Sequence, residues 1–166
     1  MKKAAERIIR KLQLIPHIEG GYFKEIYKSP RTINCDDLKI NSSEKYNLMT
    51  TIYYMLVEEQ VSKFHFLDFD ETLLFHAGSP LVFHLIDQSG NYSRVVLGPD
   101  VEKGQYPQFT VKAGILFGGE LMDKESFGLI SCIVSPGFEY DIFHLIPKEE
   151  LLSRFPDHEE IILRLS

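Results

Sequence analysis

The sequence predicts an all-β fold, a barrel or jelly roll closed by short helices at both ends. Three observations lead there. Short stretches rich in β-branched and aromatic residues recur at regular spacing from residue 22 to 145. Gly- and Pro-containing turns separate them, as in sandwiches and barrels. Helical periodicity is confined to the two ends.

In the N-terminal segment "MKKAAERIIRKLQL", Ala5, Ile8, Ile9 and Leu12 fall on one face of a helix over 2–12. "IPHIEGG" is a turn, and "YFKEIYKS" (22–29) alternates as a strand. "PRTINCDDLKINSSEKYN" (30–47) is polar and turn-rich, and reads as one long loop or flap. "LMTTIYYMLV" is a strand. "SKFHFL" and "TLLFHA" follow as a pair across the acidic turn Asp68-Phe69-Asp70. "PLVFHLID" and "YSRVVLG" flank the hairpin signal Gln88-Ser89-Gly90-Asn91. "YPQFTVK", "GILFGGEL", "FGLISCIV" and "EYDIFHLI" complete the strands. Pro147 suits a first helical residue before "KEELLSRF", and Asp157 an N-cap for the last helix. The expectation is one domain over 1–166, with its core at about 20–146 and C-terminal helices at about 147–165.

Composition narrows the function. At 166 residues the chain is long enough to bury a core, and its 44% hydrophobic and 25% charged residues are ordinary for a soluble globular protein. A formal charge of −6 with no basic cluster argues against nucleic acid, whose phosphates need cations to displace their counterions. No stretch approaches the roughly 20 apolar residues of a membrane span. Glu6, Arg7, Arg10 and Lys11 interrupt any signal-peptide core. Cys35 lies in a polar stretch and Cys132 in an apolar run, without a shared motif. Free thiols in a cytoplasmic protein are the simpler expectation.

The chemistry concentrates in "KFHFLDFDETLLFHAG", residues 63–78. Strand alternation puts His65 and Leu67 on one face, and Glu71, Leu73 and Phe75 on one face past the turn. In a hairpin, His65 and Glu71 would converge as a general base and its partner. Burial would raise the pKa of Glu71 and a charged His would lower it. The plainer alternative, a half-buried His65 with satisfied nitrogens, has equal weight, and more for His76 and His84. Glu71 has the stronger claim, because "TLLF" leads it inward and a buried carboxylate needs a partner.

The pattern His65-x-Leu67-x3-Glu71-x6-Gly78 resembles the first cupin motif, in which an HxH pair, a glutamate and a glycine mark the metal-binding hairpin. Lys112-Ala113-Gly114 followed by Phe117 stands where the second motif has its turn and distal histidine. Leu67 and Phe117 thus replace two of the four usual ligands, and a metal site normally draws three or four. No tightly held metal or other cofactor is expected. "LIPHIEGGYFKEIYKS", "TTIYYML", "SKFHFLDFDETLLFHAGSPL" and "SPGFEYDIFHLI" together resemble the cupin-5 family (DUF985) over roughly 12–155, with Ile18 for its Pro and Leu73 for its Trp. The resemblance implies a cupin-type double-stranded β-helix that forms homodimers, and similarity to metal-free sugar-nucleotide epimerases.

Further residues carry two readings each. Glu19-Gly20-Gly21 is a positive-φ turn or, less favoured, lines a ligand or dimer surface. Tyr53 and Tyr54 point to opposite faces, so one meets the cavity and hydrogen-bonds a ligand or, the favoured reading, serves ordinary sheet packing. Ser62 bonds a ligand or closes a turn. Gly118 and Gly119 permit close approach, and Glu120 either faces Glu71 or is solvated. Gly137 of Pro136-Gly137-Phe138 suits φ > 0, and Asp141 beyond it reads as structural. Arg31 is a candidate anion clamp or a solvent-exposed loop residue.

Three functions stay open. The first is a metal-independent enzyme of epimerase or isomerase type acting on a sugar-derived or other small polar substrate. In it His65, Glu71 and Tyr54 are catalytic, while Ser62, Phe75, Phe117, Glu120 and Arg31 bind ligand. The second is a non-catalytic small-molecule-binding module, separable by its lack of a pH–rate profile. The third, ranked last, is a residual metal enzyme. The expected partners are a small ligand and a second copy of the chain at an exposed edge strand over 22–29, with no nucleic acid and no membrane.

Overall fold

The computed structural model describes residues 2–34 and 45–166. An amphipathic helix α1 (Lys2–Leu12) leads into β1 (Ile15–Pro16) and β2 (Tyr22–Lys28). A ribbon of β3 (Thr32–Asn34) and β4 (Lys45–Asn47) follows. The expected loop over 30–47 is thus partly strand. Residues 35–44, with Cys35, lie outside the described residues.

The strands β5 (Thr50–Val57), β6 (Val61–Leu67), β7 (Glu71–Gly78), β8 (Leu81–Ile86) and β9 (Tyr92–Leu97) come next. After them come β10 (Gln108–Val111), β11 (Leu116–Leu121), β12 (Phe127–Val134) and a short β13 (Phe143–Leu145). Two antiparallel sheets result, ordered β1-β2-β5-β12-β7-β10 and β13-β6-β11-β8-β9. Helices α2 (Lys148–Arg154) and α3 (Glu159–Arg164) close the chain. No helix of the described residues is long and apolar enough to cross a membrane.

The pairing corrects one expectation that matters for the site. β6 and β7 do not form a hairpin. β6 pairs with β11 and β13, and β7 with β10 and β12, so Asp68-Phe69-Asp70 is a corner between the sheets. Phe69 anchors that corner edge-on to Tyr46, ring centroids 5.0 Å apart. The Asp70 carboxylate accepts from the Ala113 N–H at 2.9 Å and from Lys112 Nζ at 2.7 Å. The Gly114 N–H donates to the Leu67 carbonyl. His65 and Glu71 consequently face the interior from opposite walls.

Between the sheets, Leu73, Leu81, Phe83, Leu97, Leu121 and Ile130 form the main core. A second core lies outside the five-stranded sheet, where Phe64, Ile86 and Leu116 meet Ile161, Ile162 and Leu165 of the C-terminal segment. Phe64 facing those helices is what turns its neighbour His65 inward. Under α1, Ala5 and Leu14 pack on Met55.

Three local expectations differ. Asp157 sits inside a 3-10 turn, Pro156–His158, and does not cap α3, because the chain has already begun to coil one turn earlier. Gly137 is not among the positive-φ glycines; a Cβ there would lie 3.1 Å from the Asn47 carbonyl oxygen, so close approach requires the glycine. The segment "EYDIFHLI" is only partly strand, since residues 140–142 coil before β13. Asp141 accepts a hydrogen bond from the Tyr46 hydroxyl at 2.6 Å.

Gly20 has φ +113°, and a Cβ there would stand 2.1 Å from the Val61 carbonyl oxygen. Gly104, also at positive φ, has open space around it. Gly104→Ala is therefore expected to cost about 1 kcal/mol, from backbone conformation alone, and Gly20→Ala about 3 kcal/mol or more. Denaturant midpoints of the two variants check this ordering.

Candidate functional site

The interior opens at one end of the barrel into a cavity of about 160 Å³. Its polar floor is built from four strands and one turn. β6 supplies His65, β7 Glu71, β5 Tyr54 and β12 Cys132, while the turn between β1 and β2 supplies His17 and Glu19. Phe23, Ile52, Leu67, Val134, Phe138 and Phe143 make apolar walls.

Glu19 is the hub. It is 8% exposed, and its Oε1 accepts from the Ser62 hydroxyl at 2.9 Å. Its Oε2 lies 3.4 Å from both His65 Nε2 and His17 Nδ1. The backbone fixes it there. The Glu19 carbonyl accepts from the Lys63 N–H of β6, and positive φ at Gly20 and Gly21 turns the chain back into β2. Burial pushes the Glu19 pKa up, but the charge of His65 and the contacts of His17 and Ser62 outweigh it and hold the pKa below the usual value.

His65 is 3% exposed. Its Nδ1 lies 2.7 Å from the Lys63 carbonyl oxygen, which can only accept, so Nδ1 carries a proton. Nε2 is left facing Glu19 and the cavity, the arrangement of an imidazole base whose protonated form a carboxylate stabilises. Phe117, its cross-strand partner, backs the ring at a centroid distance of 4.2 Å.

Glu71 behaves oppositely. Burial, then the Glu19 charge, pushes its pKa up to about 8, against a smaller downward pull from a hydrogen bond with Cys132. Burial, then Glu71 and Glu19, raises the Cys132 thiol well above its usual value. Tyr54 donates to the Gly20 carbonyl at 2.8 Å, and burial followed by the Glu19 charge raises its pKa well above normal. At neutral pH the floor of the cavity thus holds one ionised carboxylate, one neutral carboxylic acid and two weakly acidic groups, a combination able to take up and give back a proton.

The other candidates fall differently. Ser62 is buried and orients Glu19; it is not among the lining residues. Phe75 packs against the main core. Gly118 and Gly119 admit protein, their absent Cβ positions being taken by the Ser62 carbonyl and the Phe83 ring. Glu120 does not face Glu71. It contacts His84 Nε2 (3.3 Å), Lys124 Nζ (2.7 Å) and Arg164 Nε (3.2 Å), outside the barrel, where it ties α3 to the sheet. Arg31 is exposed and does not line the cavity, so its position fits the solvent-exposed alternative. The cation at the mouth is Lys28, paired with Glu139.

Sequence reasoning underweighted Glu19, read first as a turn residue, and passed over His17 and Cys132. Alternation along β12 places Cys132 between the inward Ile130 and Val134, a signal that was present. His17 and Glu19 enter from a turn, where no periodicity marks the inward side.

A cupin metal cage would draw on the positions of His65, Leu67, Glu71 and Phe117. Leu67 and Phe117 offer no donor atom. That leaves His65 Nε2 and Glu71, two donors where a metal site draws three or four. Among the described residues no group of three or more His, Cys, Asp or Glu is disposed to hold a metal. The residues present do not fit that group.

A model of the cupin superfamily family Cupin_5 (DUF985) matches residues 6–146. The chain belongs to this family. Similar solved structures include a protein of Shewanella oneidensis, 36% identical with a TM-score of 0.89, covering 98% of this chain and 96% of that one. A hypothetical protein from Leishmania major is 35% identical, TM-score 0.87, covering 96% and 97%. An uncharacterized protein of Saccharomyces cerevisiae is 27% identical over 93% of this chain and 81% of its own length. Oxalate decarboxylase of Bacillus subtilis, 14% identical with TM-score 0.54, covers 91% of this cupin and 37% of its own chain, and is a likeness of fold alone.

The raised Glu71 pKa carries a sign. From about pH 4.5 to 8 the unfolded chain ionises Glu71 while the folded protein keeps it neutral, so stability falls as pH rises through that window and levels off above it. Glu71→Gln is expected to be near neutral at pH 5 and stabilising at pH 9, by an amount on the order of a few kcal/mol. Urea midpoints at the two pH values check it; an equal effect at both would contradict a neutral buried Glu71.

Proposed function

We propose that this cupin binds a small polar or sugar-derived molecule and performs metal-independent acid–base chemistry on it, of epimerase or isomerase type. The observation that carries this reading is the pair of buried carboxylates driven to opposite protonation states beside His65. After the imidazolium paired with Glu19 gives its Nε2 proton to solvent, His65 takes a proton at Nε2 from a carbon next to a carbonyl, and Glu19 stabilises the imidazolium formed again. Glu71, as the neutral acid, donates a hydrogen bond to the oxygen on which charge develops, while Tyr54, whose single O–H is given to the Gly20 carbonyl, holds the turn that carries Glu19. Return of the proton to the opposite face or to the neighbouring carbon completes the exchange. No step requires a metal.

A binding module without chemistry is the second reading, favoured by the largely aromatic and aliphatic walls. Deuterium uptake from D2O at the carbon next to the carbonyl, followed by mass spectrometry over a panel of keto sugars and hydroxy ketones, separates the two. The enzyme reading predicts uptake, reduced ~10²–10⁴-fold by His65→Ala and strongly by Glu19→Gln. Tight binding with no uptake supports the module instead, and undiminished uptake in His65→Ala removes that residue from the chemistry.

The reading extends to a homodimer. β1 covers β2 only at Tyr22 and Phe23, so among the described residues Lys24 to Lys28 present a strand edge bearing the exposed Ile26 and Tyr27. Sedimentation is expected to give a dimer at micromolar concentration, shifted toward monomer by the double substitution Ile26→Asp, Tyr27→Lys. A wild-type monomer at that concentration would contradict it.

A further inference from the structure

The mouth of the cavity has a chemistry of its own. His17 at the floor, Phe23, Phe138 and Phe143 on the walls, and the exposed Tyr140 form a continuous set of rings. His17 lies 4.7 Å from Phe23 and 5.8 Å from Phe143, both edge-on, and nearly parallel to Tyr140 at 6.5 Å. Phe138 stands edge-on to Tyr140 at 5.3 Å, and Phe143 edge-on to Tyr140 at 6.5 Å. Edge-to-face packing at these separations covers part of each ring face, and Tyr140, 57% exposed, keeps the most surface free for a ligand.

The charges point the same way. Among the described lining residues the acids are Glu19, Glu25, Glu71 and Glu139, against a single Lys28. Lys28 is consumed by Glu139, and that pairing raises its pKa. Glu19 is matched by His65 and His17, and Glu71 is neutral at pH 7, which leaves Glu25 sharing with Glu139 the single cation Lys28, so the lining carries more acid than base. The chain as a whole carries −6, so the long-range field also repels anions. A nucleoside diphosphate sugar would find only one cation, already paired. A cation would find ring faces and carboxylates.

We propose that the natural ligand is an organic cation, an amine or guanidinium compound whose charged end sits against the Tyr140, Phe143, Phe138 and His17 rings while its polar end reaches His65, Glu19 and Glu71. This rests on the small-molecule reading given above and names the ligand class for the same cavity. It sets the site apart from one built for a phosphorylated sugar.

The test is calorimetric titration of the full chain with choline, ethylguanidinium, the neutral tert-butyl analogue of choline, and UDP-glucose. At least one cation is expected to bind about tenfold or more tighter than the neutral analogue, and UDP-glucose is expected to bind weakest. Tyr140→Ala should lose most of that preference. Tyr140 is 57% exposed, so its removal leaves the fold intact; Phe143→Leu, which keeps bulk and removes the ring, is the second variant. A neutral analogue that binds as well as the cations, tighter binding of UDP-glucose, or no binding of either cation would overturn the proposal. The acid–base reading is judged separately by deuterium uptake, which needs no cationic substrate, so the two can fail independently.

Discussion

A carboxylate buried at the floor of a mostly apolar barrel sets the terms for everything around it. Removing the charge of Glu19 from water is expensive, and it persists only because His65, His17 and Ser62 converge on its two oxygens. Each of those partners has a structural precondition. Ser62 and His65 must both face inward from β6, although their spacing is three. A register shift in the pairing of β6 with β11, between Phe117 and Gly119, accompanies that change of face. His17 and Glu19 must come from a turn that leaves one sheet and bonds to the other, which is why two positive-φ glycines follow directly. The charge of Glu19 then acts on its surroundings, raising the pKa values of Glu71, Tyr54 and Cys132 together with burial.

The barrel thus separates two kinds of ionic structure. Inside, the groups differ in protonation and are poised to exchange protons. Outside, Glu120 collects His84, Lys124 and Arg164 into a network that fastens α3, and its pKa is held down, against the upward pull of burial, by the cations around it. His84 also meets the Tyr92 hydroxyl at 2.7 Å. Both clusters contain a buried glutamate and a histidine, and only their side of the sheet distinguishes a site from a clamp.

Much of the architecture was legible in the sequence. Alternation and turn residues give the strands of both sheets except β1, which lies in the stretch read as a turn, and the N-terminal periodicity gives α1 with its buried Ala5. Strand partners were not legible, because alternation says which side a residue faces and not which strand lies beside it. The tight acidic turn at 68–70 suggested a hairpin, whereas Phe69 plugging into Tyr46 makes it a corner between sheets. The same gap explains Glu120. Its strand and burial were readable, but it turns outward beneath a helix that arrives some forty residues later. Glu19 was hidden for another reason, since a Gly-Gly turn normally carries its preceding polar residue into solvent. The family resemblance placed the domain type, and the structure supplies the new partnership of His65 with Glu19.

Of the two glutamates on the cavity floor, Glu19 is ionised and Glu71 neutral at physiological pH. Carbon-13 NMR of glutamate carboxyls, followed from pH 3 to 10 and assigned with Glu19→Gln and Glu71→Gln, measures this directly. The account predicts one resonance titrating near pH 8 that disappears in Glu71→Gln, and another titrating below the ordinary glutamate range that disappears in Glu19→Gln. If all the glutamates titrate together in the ordinary range, the cavity is wet or open, and the division of labour between Glu19 and Glu71 is wrong.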